Sequence, residues 1–274
     1  MKIKLIAVDM DGTVLRTDKT VSARTLAALQ KAAGCGCIVV PASGRVACNL
    51  PKEVVSISGI RYAVTSNGAS VVDLREKAPV YSDLMDAETS CRLPERLLSA
   101  GYFTEAYCGG VSYSERNALG GLIHLHPPEI LLNFILHSQI FVDGLPGYLA
   151  SHGFRLEKIN VPYLPREEAA LLRGKLEQSG KYAVCSSAPD NVEINRAGCS
   201  KGKALKSLCG MLGVRREEVL AVGDGGNDLS MLRFAGVGVA MRNSSPGALA
   251  AADFVTAGND EDGAALAVER FALS

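Results

Sequence analysis

The 274-residue chain carries no surplus of charge, since 29 Lys and Arg balance 29 Asp and Glu. Without a basic excess there is no global field to draw in nucleic acid or an anionic membrane, so any anion recognition has to be local. Long hydrophobic runs are missing too. The most apolar later stretch, ILLNFILHSQIFV, contains Asn133, His137 and Gln139 and is too short to cross a bilayer. Near the N-terminus, Asp9 and Asp11 interrupt the apolar segment that a signal peptide would need. There is no CxxC pair among the eight cysteines, and only Cys35 and Cys37 are close together. A chain of this size needs no disulfide staples, so the cysteines read as apolar fillers or free thiols in a reducing cytoplasm. Repeats and low-complexity tracts are also absent, which leaves a globular chain of one large domain or two smaller ones.

What is present is βα alternation. KLIAVD reads as a buried strand, and SARTLAALQKAAG as a helix capped by Ser22 and closed by Gly34. CIVVPAS is a second buried strand ending at Ser43, and YAVTSNGASVV is a strand, an Asn67-Gly68 turn and another strand. The last third resumes the pattern with a helix in KGKALKSLCGMLG, a strand in EVLAVGD, a helix in NDLSMLRFAG and a strand in VGVAM. Such alternation predicts a parallel sheet, an α/β fold of Rossmann-like type. The middle, residues 83–194, is richer in Tyr, His and Pro and mixes strand-like runs with helices such as PREEAALLRGKLEQSG. It is expected to be a second α+β unit inserted into the first, with residues 1–82 and 195–274 forming the core, and KYAVCSSAPDNVEIN its closing hairpin.

The chemistry-bearing residues fall at the C-terminal ends of the predicted parallel strands, the edge where open α/β sheets bind ligands. Asp9 ends the first strand, with Asp11, Gly12 and Thr13 behind it; Ser43 ends the second; Asp224 ends the strand in VLAVGDGGND. Lys201 opens a helix, whose N-terminus favours anions. If folding brings Asp224 and Asp228 beside Asp9 and Asp11, four carboxylates converge. At about 4 Å and an effective dielectric of 20, two such charges repel by roughly 4 kcal/mol. The cluster then calls for a hard divalent cation with oxygen ligands, and Mg²⁺ suits a site that also keeps waters and takes a phosphate oxygen. With metal and lysine cancelling repulsion, one aspartate can attack phosphorus while a second handles the proton.

These residues resemble the haloacid dehalogenase-like hydrolase superfamily. Its four motifs are matched by Asp9-Met10-Asp11-Gly12-Thr13, by Ser43 in Ser43-Gly44-Arg45, by Lys201 in Ser200-Lys201-Gly202 and by Gly223-Asp224-Gly225-Gly226-Asn227-Asp228. TSNGA, GNDLSML, VAMRNS and DEDGAA further resemble the Cof-type subfamily (subclass IIB), and the long insert resembles its C2-type cap. The resemblance implies Asp9 as nucleophile and Asp11 as general acid/base. It implies that Ser43, Gly44, Lys201 and Asn227 hold the phosphoryl group. It places Mg²⁺ on Asp9, the Asp11 carbonyl and Asp224, with Asp228 in support. One departure is Arg242, where the family often has Gly before Asn243.

A cap would close over the core, exclude water and choose the substrate. Its polar candidates are Arg116, His124, His126, Arg155 and Lys158, with HLH placing both histidines on one face of a strand. The expected function is a Mg²⁺-dependent phosphatase acting on small phosphomonoesters such as sugar phosphates, with neither nucleic acid nor membrane as partner. Two rivals are a phosphohexomutase, passing the phosphoryl group to a sugar hydroxyl, and a non-catalytic regulatory module phosphorylated on aspartate. The latter needs neither Asp11 nor a large insert.

Overall fold

The computed structural model describes residues 2–186 and 190–273. The chain begins with β1 (Leu5–Val8), α1 (Ala23–Gly34), β2 (Ile38–Pro41), α2 (Lys52–Val55), β3 (Tyr62–Thr65), β4 (Ser70–Asp73) and β5 (Ala78–Ser82). The middle adds α3 (Ala87–Ser99), β6 (Glu105–Cys108), β7 (Val111–Glu115), α4 (Leu119–His124), α5 (Glu129–Ser138), β8 (Gln139–Val142), α6 (Leu145–Ser151), β9 (Lys158–Val161), α7 (Arg166–Gln178), β10 (Tyr182–Cys185) and β11 (Val192–Arg196). It ends with α8 (Lys201–Leu212), β12 (Val219–Gly223), α9 (Leu229–Phe234), β13 (Val237–Ala240), α10 (Pro246–Ala251), β14 (Phe254–Val255) and α11 (Gly263–Ala272). Two compact units result, residues 1–82 with 200–274, and residues 83–199.

The first unit is built on a five-stranded parallel sheet in the order β14-β13-β12-β1-β2. All four β1 residues are buried, because helices cover both faces of the sheet. The two-residue period sends Ile6 and Val8 into one core with Leu29, Leu220 and Val268, and Leu5 and Ala7 into another with Leu205, Ala221 and Leu232. Helices α1 and α11 therefore pack on one side, α8 and α9 on the other. The TSNGA stretch joins β3 to β4 in an antiparallel three-stranded sheet with β5.

Ser22 caps α1 as its type predicts, accepting from the Thr25 N–H. Gly34, however, is the last residue of that helix and not its stop. Cys35 takes the cap position, and the left-handed turn falls at Gly36, with φ +87°. The glycine two residues further on supplies the conformation that ends a helix most cheaply.

The second unit holds a six-stranded mixed sheet in the order β10-β11-β9-β6-β7-β8. Strands β10 and β11 pair antiparallel as expected of the closing hairpin, and residues 187–189 between them lie outside the described residues. One face carries Ala106, Ile159 and Ile194 into an apolar core with Leu93, Leu149 and Leu172. The alternate positions carry Glu105, Tyr107, Lys158, Asn160 and Glu193, all buried and polar. The expectation for His124 and His126 fails. His124 ends helix α4 and His126 follows it at φ +53°, both exposed, so no strand pairs them. Leu119 and Leu122, three apart, turn that segment into a helix by packing on the Phe103–Ile135 cluster.

Candidate active site

The parallel register brings the strand ends level. Val8 stands opposite Val222 and Pro41, and Val222 opposite Val239. Backbone bonds continue one step further, Asp9 N–H to the Val222 carbonyl at 2.9 Å and Ala42 N–H to the Val8 carbonyl at 2.9 Å. Asp9, Ser43 and Asp224 thus follow three adjacent strands, β1, β2 and β12.

Lys201, the first residue of α8, is fully buried. Its Nζ donates to Asp9 Oδ1 and to Asp228 Oδ1, each at 2.6 Å. The other Asp228 oxygen accepts from the Asp224 and Gly225 N–H groups, both at 2.9 Å. Those two bonds shape the glycine-rich turn and fix where Asp224 points. Thr13 Oγ1 completes the hold, donating to Asp224 Oδ1 at 2.9 Å. Gly12 has φ +81°, and a β-carbon there would stand 2.5 Å from an Asp224 carboxylate oxygen. Only glycine lets the loop after β1 pass so close to that carboxylate.

Asp9, Asp224 and Asp228 each offer a carboxylate oxygen within 4.8 Å of the other two. The Asp11 carboxylate is not among them, which corrects the expectation of four converging acids. Its oxygens instead accept from Arg45 Nε and Nη2, both at 2.7 Å, and Oδ1 also from Lys19 Nζ at 3.1 Å. A guanidinium fork matches a carboxylate in two parallel bonds, and this pairing wins over approach to a negative cluster. Any metal role for Asp11 is left to its backbone carbonyl.

The titration behaviour follows from these placements. Burial, and then the Asp228 charge, push the Asp9 carboxyl well above the ordinary range against the pull of Lys201. The same two causes push Asp224 up to about 6. Asp11 goes the other way. Burial would raise it, but the hydrogen bonds and charges of Arg45 and Lys19 hold it at about 2. For Lys201, burial opposes the charge, yet Asp228 and Asp9 outweigh it and raise its pKa. Three carboxylates against one ammonium leave a net charge of −2 when all are ionised. An all-oxygen donor set of that charge fits a hard divalent cation.

Residues 6–268 match the haloacid dehalogenase-like hydrolase family. The chain belongs to that family. The hydrolase is 32% identical to an HMP-PP phosphatase of Yersinia pseudotuberculosis, over 89% of this chain and 85% of the relative. It is 27% identical to the 5-amino-6-(5-phospho-D-ribitylamino)uracil phosphatase YcsE of Bacillus subtilis, over 99% and 96% of the two chains. The subclass IIB sugar phosphatase BT4131 has the same fold, with a TM-score of 0.80 at 24% identity, covering 99% of this chain and 100% of that one. The hydrolase is a phosphatase of its superfamily.

Ser43 lies buried after β2, its Oγ accepting from the Arg45 N–H at 3.1 Å, with Gly44 between them. Asn227 is reached indirectly. Its Nδ2 donates to Asn67 Oδ1 at 3.0 Å, and the Asn67 N–H donates to the Ser43 carbonyl at 3.1 Å. Asn67 therefore ties Ser43 to Asn227, a role that a strand-turn-strand pattern does not suggest. The Asn67-Gly68 pair was the signal in the sequence, since Asn tolerates the positive φ, +60° here, that the turn takes. Arg45 and Thr13 stood inside recognised motifs without an assigned partner. Of the insert's polar candidates, Lys158 alone lies on the buried polar sheet face, 3.2 Å from Glu193 and over the Tyr107 ring. Arg116 pairs with exposed Asp143, and Arg155 Nε donates to the Met85 carbonyl. No helix among the described residues is long and apolar enough to cross a membrane.

Proposed function

We propose that the hydrolase is a Mg²⁺-dependent phosphatase of small phosphomonoesters, sugar phosphates or related metabolites, working through an aspartyl phosphate on Asp9. The observation that carries this is the Asp9 carboxylate at the end of β1, held 2.6 Å from the buried Lys201 ammonium and within the Asp224–Asp228 cluster. The relatives' named substrates, small phosphorylated metabolites, support the substrate class.

Asp9 and Asp224, with the Asp11 carbonyl, are the residues to hold Mg²⁺, and Asp228 supports them through Lys201 and the turn. When bound, the ion offsets the phosphate's negative charge and lets an anionic nucleophile approach. Lys201 adds a fixed positive charge to stabilise the transferred group's oxygens. In this reading Ser43 Oγ, the Gly44 N–H and Asn227 Nδ2 donate to those oxygens. An Asp9 oxygen attacks phosphorus, the ester P–O bond breaks, and Asp11 supplies the proton to the leaving oxygen. Water then attacks the acyl phosphate, Asp11 recovers a proton from it, and Asp9 is restored with release of phosphate. In the arrangement seen, Arg45 keeps Asp11 ionised, so it serves as acid only when that grip is relaxed. In this reading the inserted unit is the part that chooses the substrate.

The test is turnover of an aryl phosphate with and without Mg²⁺, alongside Asp9→Asn. Loss of turnover on either change is expected. Activity that survives Asp9→Asn ends the aspartyl-phosphate route. A screen of metabolite phosphates then assigns the substrate, and isomerisation of a hexose phosphate with little phosphate release would replace hydrolysis by a mutase reaction.

A further inference from the structure

The loop after β1, residues 10–20, is held by a segment more than 220 residues further along. Asn243 Nδ2 donates to the Gly12 carbonyl at 2.8 Å, and Asn259 Nδ2 to the Leu15 carbonyl at 3.0 Å. Asp260 accepts the Thr17 N–H at 2.9 Å and the Thr17 hydroxyl at 2.7 Å, one on each oxygen. The Asn259 N–H donates to Asn243 Oδ1 at 3.0 Å, so the two asparagines act as one piece.

Each contact lands where it bears on the catalytic groups. The Gly12 carbonyl belongs to the peptide that leads into Thr13, whose hydroxyl holds Asp224. Thr17 sits in the tight turn closed by Arg16 N–H to the Thr20 carbonyl and Lys19 N–H to the Arg16 carbonyl, both at 2.9 Å. That turn presents Lys19 to Asp11. Met10, Val14 and Leu15 anchor the first half of the loop in the core, but residues 17–20 are exposed. Such an exposed stretch samples many arrangements unless something pins it, and misplacing a catalytic group by about 1 Å can cost about a hundredfold in rate.

We propose that Asn243, Asn259 and Asp260 form a clasp of positioning residues that holds loop 10–20, and with it Asp11, in register with the ester oxygen. This rests on Asp11 as the general acid. None of the three touches the reacting atoms; they act through Gly12, Leu15 and Thr17.

The experiment compares kcat/KM for an aryl phosphate, whose leaving group needs no proton, with that for an alkyl phosphate, whose leaving group does. Asp260→Ala and Asn243→Ala are expected to lower the alkyl-to-aryl ratio about tenfold or more. Asp260→Asn, which keeps an acceptor for the Thr17 N–H, restores most of it. Thr17→Val removes only the hydroxyl bond and gives a smaller fall, and serves if Asp260→Ala does not fold. An unchanged ratio in the folded variants, whether or not both substrates slow equally, overturns the clasp. Asp11→Asn separates the two ideas. If it lowers the ratio and the clasp variants do not, the clasp alone falls; if it leaves the ratio unchanged, Asp11 is not the acid and both fall.

Discussion

Arg45 grips both carboxylate oxygens of Asp11, with Nε and Nη2 each at 2.7 Å. The pairing holds the Asp11 carboxyl at about 2, so near neutral pH it is ionised. Arg45→Gln removes the bidentate bonds and leaves burial opposed by Lys19 alone, so the Asp11 pKa rises. Each unit of rise multiplies the protonated fraction at a given pH above it tenfold. The limb of the pH profile that belongs to Asp11 is expected to move upward by about one to two units. The measurement is kcat/KM against pH with an alkyl phosphate. A profile superimposable on that of the unaltered enzyme would show that Arg45 does not govern Asp11 during turnover.

Lys201 sits between Asp9 and Asp228, its ammonium paired with both. Lys201→Met leaves two buried carboxylates facing each other without the cation between them, although Asp228 keeps its Asp224 and Gly225 N–H donors. Breaking a buried pair from one side typically costs about 3–5 kcal/mol. Loss of folding stability by that order is expected from denaturant titration at pH 8, with a smaller loss at pH 5, where Asp224, raised to about 6, takes up a proton. Turnover is expected to vanish at both.

Asp224 illustrates the opposite sign from Asp11. Its folded pKa is raised to about 6, so the stability linked to its protonation is present below the ordinary value of 3.8 and lost as pH rises through about 6. The metal-free protein should therefore melt lower at pH 8 than Asp224→Asn does. Adding Mg²⁺ at about 100 times its Kd stabilises by about 2.7 kcal/mol, or roughly 5–10 °C in Tm for a domain of this size. Asp224→Asn should lose most of that rise. A thermal melt of both proteins with and without Mg²⁺ decides it, and equal rises would remove Asp224 from the metal site.

Gly68 has φ +97°, and a β-carbon there would run into the Ser200 carbonyl just ahead of Lys201. Gly68→Ala adds a strained conformation to a backbone collision. A loss of at least about 2 kcal/mol is expected. Because the displaced atoms lead directly into α8, turnover should fall as well. An alanine variant with unchanged denaturation midpoint and activity would show that the Asn67-Gly68 turn is free to move away from α8.

Most of the strands and helices of the core were legible in the chain itself, whereas in the insert HLH reads as strand and folds as the end of a helix. The apolar run in LIAV and the Ser22 cap are local signals, and short-range sterics and burial act on them wherever the chain goes. The positions of Asp9, Ser43, Lys201 and Asp224 at strand ends or a helix start were legible for the same reason. What tertiary structure alone decided is which side chains face each other. Asp11 could have joined the acids or turned to a cation, and only the placement of Arg45 and Lys19 made the ion pair the lower-energy choice. Asn67 reaches Asn227, and Asp260 reaches Thr17, across 160 and 243 residues. No local pattern encodes such pairs, because hydrogen bonds and charges depend on distances that packing sets after the helices and strands have formed.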